Sequence, residues 1–195
     1  MSYVIVGLGN PGEEYKDTRH NTGRIVLTYA IKNFDFGEFK IDKKIQALSA
    51  TGKIDGENVK AIMPETFMNK SGNSLKTLIT SEKKAKTLVV IHDDLDLPIG
   101  SLRISFNRGA GGHRGVESII RAIKTEKFIR IKIGISPMTP SGKIKKPKSE
   151  KVGDFILAKF KPEEMIELKK VSKKVGEAIE TMIKEDVYKA MTEFN

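Results

Sequence analysis

A short run of β-forming residues, Tyr3, Val4, Ile5 and Val6, opens directly into GLGNPGEEYKDTRHNTG, a polar loop with several glycines and a proline. Few local patterns constrain a fold as tightly. A buried strand ends there and delivers Asn10, His20 and Asn21 to one region. The same glycines, Gly7, Gly9 and Gly12, satisfy the G-x-G-x-x-G pattern of dinucleotide sites. That pattern needs a helix to open within the glycines, so that its amides and dipole meet a pyrophosphate. Here Pro11 removes a donor, Glu13 and Glu14 put negative charge where phosphate would sit, and no helical apolar period starts before residues 24–34. Asp35 does stand near the distance of a ribose-binding acid. Dinucleotide binding is therefore carried as an alternative.

At 195 residues the chain has the length of one domain with one well-buried core. It contains no cysteine, which excludes disulfides, thiol catalysis and thiolate metal sites and fits a cytoplasmic location. No long apolar run and no signal-peptide pattern occur, so no membrane partner is expected. A formal charge of +10, with lysines clustered in residues 83–86, 143–151 and 169–174, favours a polyanionic partner such as a nucleic acid.

Along the chain, residues 24–34 read as an amphipathic helix entered from Asn21, Thr22 and Gly23. Residues 45–52 and 58–63 read as a hairpin about Asp55-Gly56, whose positive φ suits a tight turn. Pro64 ends it, and the segment PETFMNKSG is expected to expose Phe67, Met68 and Asn69. Residues 73–80 suggest a short helix, and residues 87–91, TLVVI, a central buried strand followed at once by His92, Asp93, Asp94 and Asp96. Ligands collect at the carboxyl ends of strands in open α/β sheets, so those acids receive a functional reading. Residues 102–106 form a further strand, followed by the loop NRGAGGHRG with His113 and Arg114 and then a helix carrying Val116, Ile119, Ile120 and Ile123. Residues 128–135 put four isoleucines on one strand face and Arg130, Lys132 and Gly134 on the other. Residues 137–151 are expected to be a mobile basic loop, and a long helix starts at Pro162.

A histidine near a buried carboxylate acts as a general base, and His20 with Asp93 would make such a pair. His92, Asp94 and Asp96 alternate on one face of an extended chain, but their spacing matches no named metal motif. No serine lies in a nucleophile elbow, and residues 109–115 lack the Lys-Ser/Thr end of a P-loop. What remains is water activated by His20 with asparagine amides orienting the substrate, which is chemistry sufficient for an ester.

The motifs VGLGNPGEEYKDTRHNTG, PETFMNKSG, IHDDLDLPIG, GAGGHRG and IRIKIGI occur in this order, and with them the chain closely resembles the bacterial-type peptidyl-tRNA hydrolases over essentially its full length. The resemblance implies a single α/β domain with a central mixed sheet flanked by helices, and cleavage of the ester joining a peptide to tRNA, which recycles the tRNA. It implies no cofactor, no metal and no obligate protein partner, in a monomer. His20 then resembles the catalytic base, Asp93 its partner, and Asn10 and Asn69 the amides holding the peptide end and the ester. Tyr15, Phe67 and Met68 resemble residues lining the peptide cleft, and His113, Arg114, Arg103, Arg130 and Lys132 fall on the substrate and tRNA side. Two departures stand out. Arg114 replaces an asparagine that holds water or substrate near the base, and Lys132 stands where relatives often carry an arginine gripping an acceptor-stem phosphate. The rival from another class is a non-catalytic RNA-binding protein of the same fold, which would not need His20, Asn69 and Asp93 together.

Overall fold

The first strand, β1 (Ser2–Gly7), lies at the centre of the sheet, and its apolar run is buried on both sides: Ile5 and Val6 are inaccessible and join different cores. The computed structural model describes residues 2–195. After β1 come α1 (Thr22–Ala30), β2 (Asp35–Phe36), β3 (Lys40–Asp42), β4 (Ala47–Ile54), β5 (Glu57–Pro64) and a 3-10 segment, Met68–Leu75. The second half contains α2 (Glu82–Ala85), β6 (Leu88–Pro98), β7 (Leu102–Phe106), α3 (Arg114–Ile123), β8 (Ile129–Ser136), α4 (Val152–Leu157), α5 (Pro162–Lys184) and α6 (Val187–Phe194).

The strands run β2-β4-β5-β1-β6-β8-β7, with β3 also on β4. β5, β1, β6 and β8 are mutually parallel, while β4 and β7 join antiparallel, so the sheet is mixed. One face packs under α1, α5 and α6 with Leu27, Val175 and Ile179; the other packs under the 3-10 segment, α2 and α3 with Leu75, Ala85 and Ile119. This is the expected α/β domain with helices on both sides of a central mixed sheet. Ile129, Ile131, Ile133 and Ile135 all enter the first core, each stabilising by about 1.5–3 kcal/mol through leaving water. A one-residue slip of β8 would turn all four outward, so its register, which sets Ile133 beside Asp93, is strongly specified.

Several boundaries differ from the sequence reading for local reasons. The hairpin turns at Asp55 (φ 48°) and Gly56 (φ 76°) as expected, but its strands are longer and Pro64 is the last residue of β5. The first helix stops at Ala30, and Phe34 lies beyond it, where the chain turns to pair β2 with β4. In place of a helix over residues 73–80, the chain tightens into the 3-10 segment: the Ser71 hydroxyl donates to the Met68 carbonyl, and Gly72 lies so close to α3 that its amide donates to Ser118 Oγ at 3.0 Å. Residues 137–151, expected to lack structure, contain a Met138–Ile144 bridge and a 3-10 turn at Ser149–Lys151 leading into α4. The short helices α4 and α6 were not expected.

The largest departure concerns β6. The expected strand over residues 87–91 continues to Pro98, so His92, Asp93, Asp94 and Asp96 lie within it. β1 stops opposite Ile91, where the Leu8 amide takes the Ile91 carbonyl, and only β8 continues alongside, first to Asp94 and then, after an irregularity, at Pro98. One edge of β6 is therefore uncovered from His92 onward, beside the carboxyl end of β1. No helix among the described residues is long and apolar enough to cross a membrane.

Candidate active site

Three elements meet over the uncovered part of β6. The chain leaves β1, wraps through residues 8–18 and returns in a 3-10 turn, Arg19–Asn21, that precedes α1. It can approach this closely because residue 23 is glycine: a Cβ there would overlap the Ile91 carbonyl and the Leu8 amide. His20 is thereby placed over Asp93, with Nδ1 3.0 Å from both Oδ1 and Oδ2. From the other side His113, the N-cap of α3, sets Nε2 3.0 Å from Asp93 Oδ1, while its Nδ1 accepts the amides of Gly115 and Val116 at 3.2 and 3.4 Å. His92 adds its ring below, edge-on to His113 at 4.6 Å between centroids, and its Nδ1 donates to the Asp93 carbonyl at 2.7 Å. All three histidines of the chain are thus gathered around Asp93, two at its carboxylate and one at its backbone carbonyl.

Burial opposes ionisation of Asp93, but the His20 and His113 N–H groups aimed at its oxygens outweigh it and hold the carboxyl well below the usual carboxylate range. For His20, burial works against the charged form, yet the charge and hydrogen bond of Asp93 prevail and raise its pKa; Arg114 opposes this. His92 goes the other way. Its complete burial pushes it well below the ordinary imidazole value.

Asn10 organises the opposite wall. Its backbone forms a reciprocal pair with the Asn21 side chain: the Asn10 amide donates to Asn21 Oδ1 at 2.8 Å and Asn21 Nδ2 donates to the Asn10 carbonyl at 2.9 Å. Asn21 was expected both beside Asn10 and His20 and as a cap for α1; it sits at the cap position without a side-chain cap bond, and its amide braces residue 10. The Asn10 side-chain carbonyl accepts the Met68 amide at 2.8 Å, which ties the first loop to PETFMNKSG and leaves the Asn10 NH2 group to face the cavity. That cavity, about 890 Å³, is lined by Asn10, His20, Phe67, Met68, Asn69, His113, Arg114 and Lys132 among the expected residues. α4 adds Val152, Ile156 and Leu157, which no sequence signal singled out.

Several expected residues are placed differently from the sequence reading. Met68 is buried at 4% exposure, contrary to the expectation that it would be exposed with Phe67, because its sulfur packs where α3 begins at Gly115. Arg130 is at 2% exposure inside the sheet, where burial lowers its pKa despite Asp94 and Glu126, so it presents no surface to a polyanion. Its side chain belongs to the strand face that was expected to be polar, with Asp94, Glu126 and Arg108 as its charged neighbours. Tyr15 lines neither this cavity nor a second one of about 530 Å³ beside Asn10. Arg103 is exposed on β7, beside Lys132 in the pairing, and Lys132 Nζ is 2.9 Å from Asp94 Oδ2.

The neighbour of His20 was missed altogether. Arg19 is buried at 6% exposure, donates through Nη2 to both Glu164 carboxylate oxygens at 2.7 and 2.8 Å and through Nη1 to the Ile135 carbonyl, and stacks on Phe155 and Phe160. A charged residue beside a polar loop carries no local mark of burial.

Among the described residues, the one group of three side chains close enough to share a metal ion is His20, Asp93 and His113, not the alternating His92, Asp94 and Asp96. Yet the lone pair of neutral His113 is on Nδ1, facing the first amides of α3, and ligation through Nε2 would break that cap. The glycines of the first loop do not open a helix either: a 3-10 turn at Glu13–Tyr15 follows, Glu14 lies against Gly12, and α1 begins ten residues later, at Thr22. The dinucleotide alternative loses its anion site.

The sequence pattern of the peptidyl-tRNA hydrolase family matches residues 4–195. A peptidyl-tRNA hydrolase from Lachnoclostridium phytofermentans is 39% identical over 195 residues, covering 99% of this chain and 96% of that protein. One from a Sulfurihydrogenibium species is 38% identical over 198 residues, covering 100% and 98%. The crystal structure of peptidyl-tRNA hydrolase from Acinetobacter baumannii superposes with a TM-score of 0.87 at 30% identity, over 99% of this chain and 94% of that one. Pattern, sequence and fold agree along the whole described length, and the chain belongs to the peptidyl-tRNA hydrolase family.

Proposed function

We propose that this protein hydrolyses the ester between a peptide, or an N-blocked aminoacyl group, and the 3′ end of tRNA, with His20 as the general base and Asp93 as its support. The observation that carries this reading is the double contact of His20 Nδ1 with the Asp93 carboxylate. It holds the proton on Nδ1 and leaves the Nε2 lone pair for a water in the cavity. His113 cannot serve as the base, since its Nδ1 accepts from the α3 amides and its Nε2 donates to Asp93.

In the reaction, water loses a proton to His20 Nε2 and attacks the ester carbonyl carbon. The tetrahedral oxyanion takes hydrogen bonds from amide donors, for which the Asn10 NH2 group and Asn69 are the candidates. Collapse breaks the bond to the ribose 3′ oxygen, which receives the proton from the His20 imidazolium. The products are the peptide acid, which releases its proton to solvent as a carboxylate, and tRNA with a free 3′ hydroxyl. Phe67 and Met68 line the peptide side, and Arg114, Lys132 and Arg103 serve the tRNA side, Arg114 as a phosphate contact in place of the amide. Its guanidinium has donors only and cannot reproduce a water-holding carbonyl. The working species on this reading is a cytoplasmic monomer.

The test is hydrolysis of N-acetyl-aminoacyl-tRNA by the parent and His20→Ala. Loss of a base reduces kcat by about two to four orders of magnitude while tRNA binding survives. Near-parental turnover by folded His20→Ala removes the assignment.

A further inference from the structure

We propose that His113 is a positioning residue for the base: a neutral donor, locked by the N-terminus of α3, that shares the Asp93 carboxylate with His20 and thereby lowers the basicity of His20.

The argument starts at the helix. Gly115 and Val116 present two of the amides that open α3, and both point at His113 Nδ1. N–H groups at a helix start need an acceptor, so Nδ1 keeps its lone pair and the neutral ring carries its proton on Nε2. That proton faces Asp93 Oδ1, one of the two oxygens that His20 Nδ1 also contacts. The carboxylate therefore holds two imidazoles, placed with 5.1 Å between ring centroids, but only one of them has a nitrogen left to take a proton from water. A carboxylate already holding one N–H bond is a weaker acceptor for a second, and its charge stabilises the His20 imidazolium less.

The other charged and titratable groups around the base divide by element. β6 supplies Asp93, with His92 buried behind it; α3 supplies His113 and then Arg114, whose charge also disfavours protonation of His20. Lys70 of the 3-10 segment lines the cavity, as do Asp94 and Asp96, which pair with Lys132 and Lys146. His113 and Arg114, adjacent at the start of one helix, thus oppose Asp93 by different means, one by sharing its oxygen and one by repulsion. A base stabilised by Asp93 alone would stay protonated further into the working range and be idle there.

The proposal rests on His20 being the base, and His113→Asn tests it. Asparagine is a favoured N-cap, so α3 keeps its cap, but the shorter side chain gives up the bond to Asp93. The titration of His20 is followed by NMR of its ring in parent and variant, with His20→Ala identifying the signal. The expected result is a rise of about 0.5–1 unit in the His20 midpoint, with the acid limb of the kcat profile moving up in step. An unchanged or lowered midpoint in folded His113→Asn overturns the proposal. A second measurement uses the parent alone: ring 15N shifts at neutral pH should report the Nε2–H tautomer at His113, and an Nδ1–H tautomer also overturns it. Neither ring measurement depends on turnover. Active His20→Ala would sink the hydrolytic role of His20 while leaving these NMR results interpretable.

Discussion

Asp93 acts on His20 in the sense opposite to His113, and the two substitutions separate them. Its negative charge raises the pKa of the buried His20, so a neutral base is available only above that raised value, and activity falls as pH drops through it. Replacing Asp93 with Asn removes the charge. The acid limb of kcat should then move to lower pH, and the residual activity should exceed that of His20→Ala because the base is still present. Initial rates over a pH series decide it, and an acid limb that stays in place would exclude Asp93 as the source of the shift. At this scale the sequence was only half legible. Asn10, His20, Asn69 and Asp93 stand in polar motifs that follow apolar runs in the sequence and could be singled out. The bond from His113 to Asp93 joins residues whose separation shows no period, and the burial of Arg19 depends on elements far along the chain.

Between the 3-10 segment and α3 the packing leaves no spare room. Gly72 faces the backbone of Ser118, and a Cβ there would overlap that carbonyl, which cannot move without the helix. Gly72→Ala should therefore cost about 1–3 kcal/mol, the scale of overpacking a close contact, read as a lower urea midpoint. Because Asn69 and His113 ride on these two elements, kcat should fall in the same variant. Wild-type stability in Gly72→Ala would contradict the contact. Strand positions were the more readable elements, since β5, β7 and β8 follow from apolar runs with turn residues at their ends. The extent of β6 was not readable: whether His92 to Pro98 stays extended depends on β8 continuing alongside after β1 has stopped. The 3-10 segment was likewise decided by Ser118 on another element.

For the molecule as a whole, the net charge of +10 raises the local concentration of a polyanion, and the mixed sheet supplies a rigid floor for the cavity. The class of fold was legible because alternating strand and helix patterns and the order of five motifs agree. The reaction as derived needs no metal ion, and the cluster of His20, Asp93 and His113 has the wrong tautomer to receive one. Dialysis against EDTA should leave hydrolysis intact, provided the tRNA is folded in magnesium beforehand. Loss of activity restored by one divalent ion would show that the cluster rearranges to bind it.

The anchor of Arg19 has a consequence in time. The residue next to the base is held by Glu164, Phe155 and Phe160, all in the last quarter of the chain. A nascent chain is itself a peptidyl-tRNA, the substrate class proposed for the finished protein. Until residues 155–164 have left the ribosome and packed, Arg19 has no counter-charge and the loop bearing His20 has no fixed seat. The competence to cut such esters is thus deferred until most of the chain has been made.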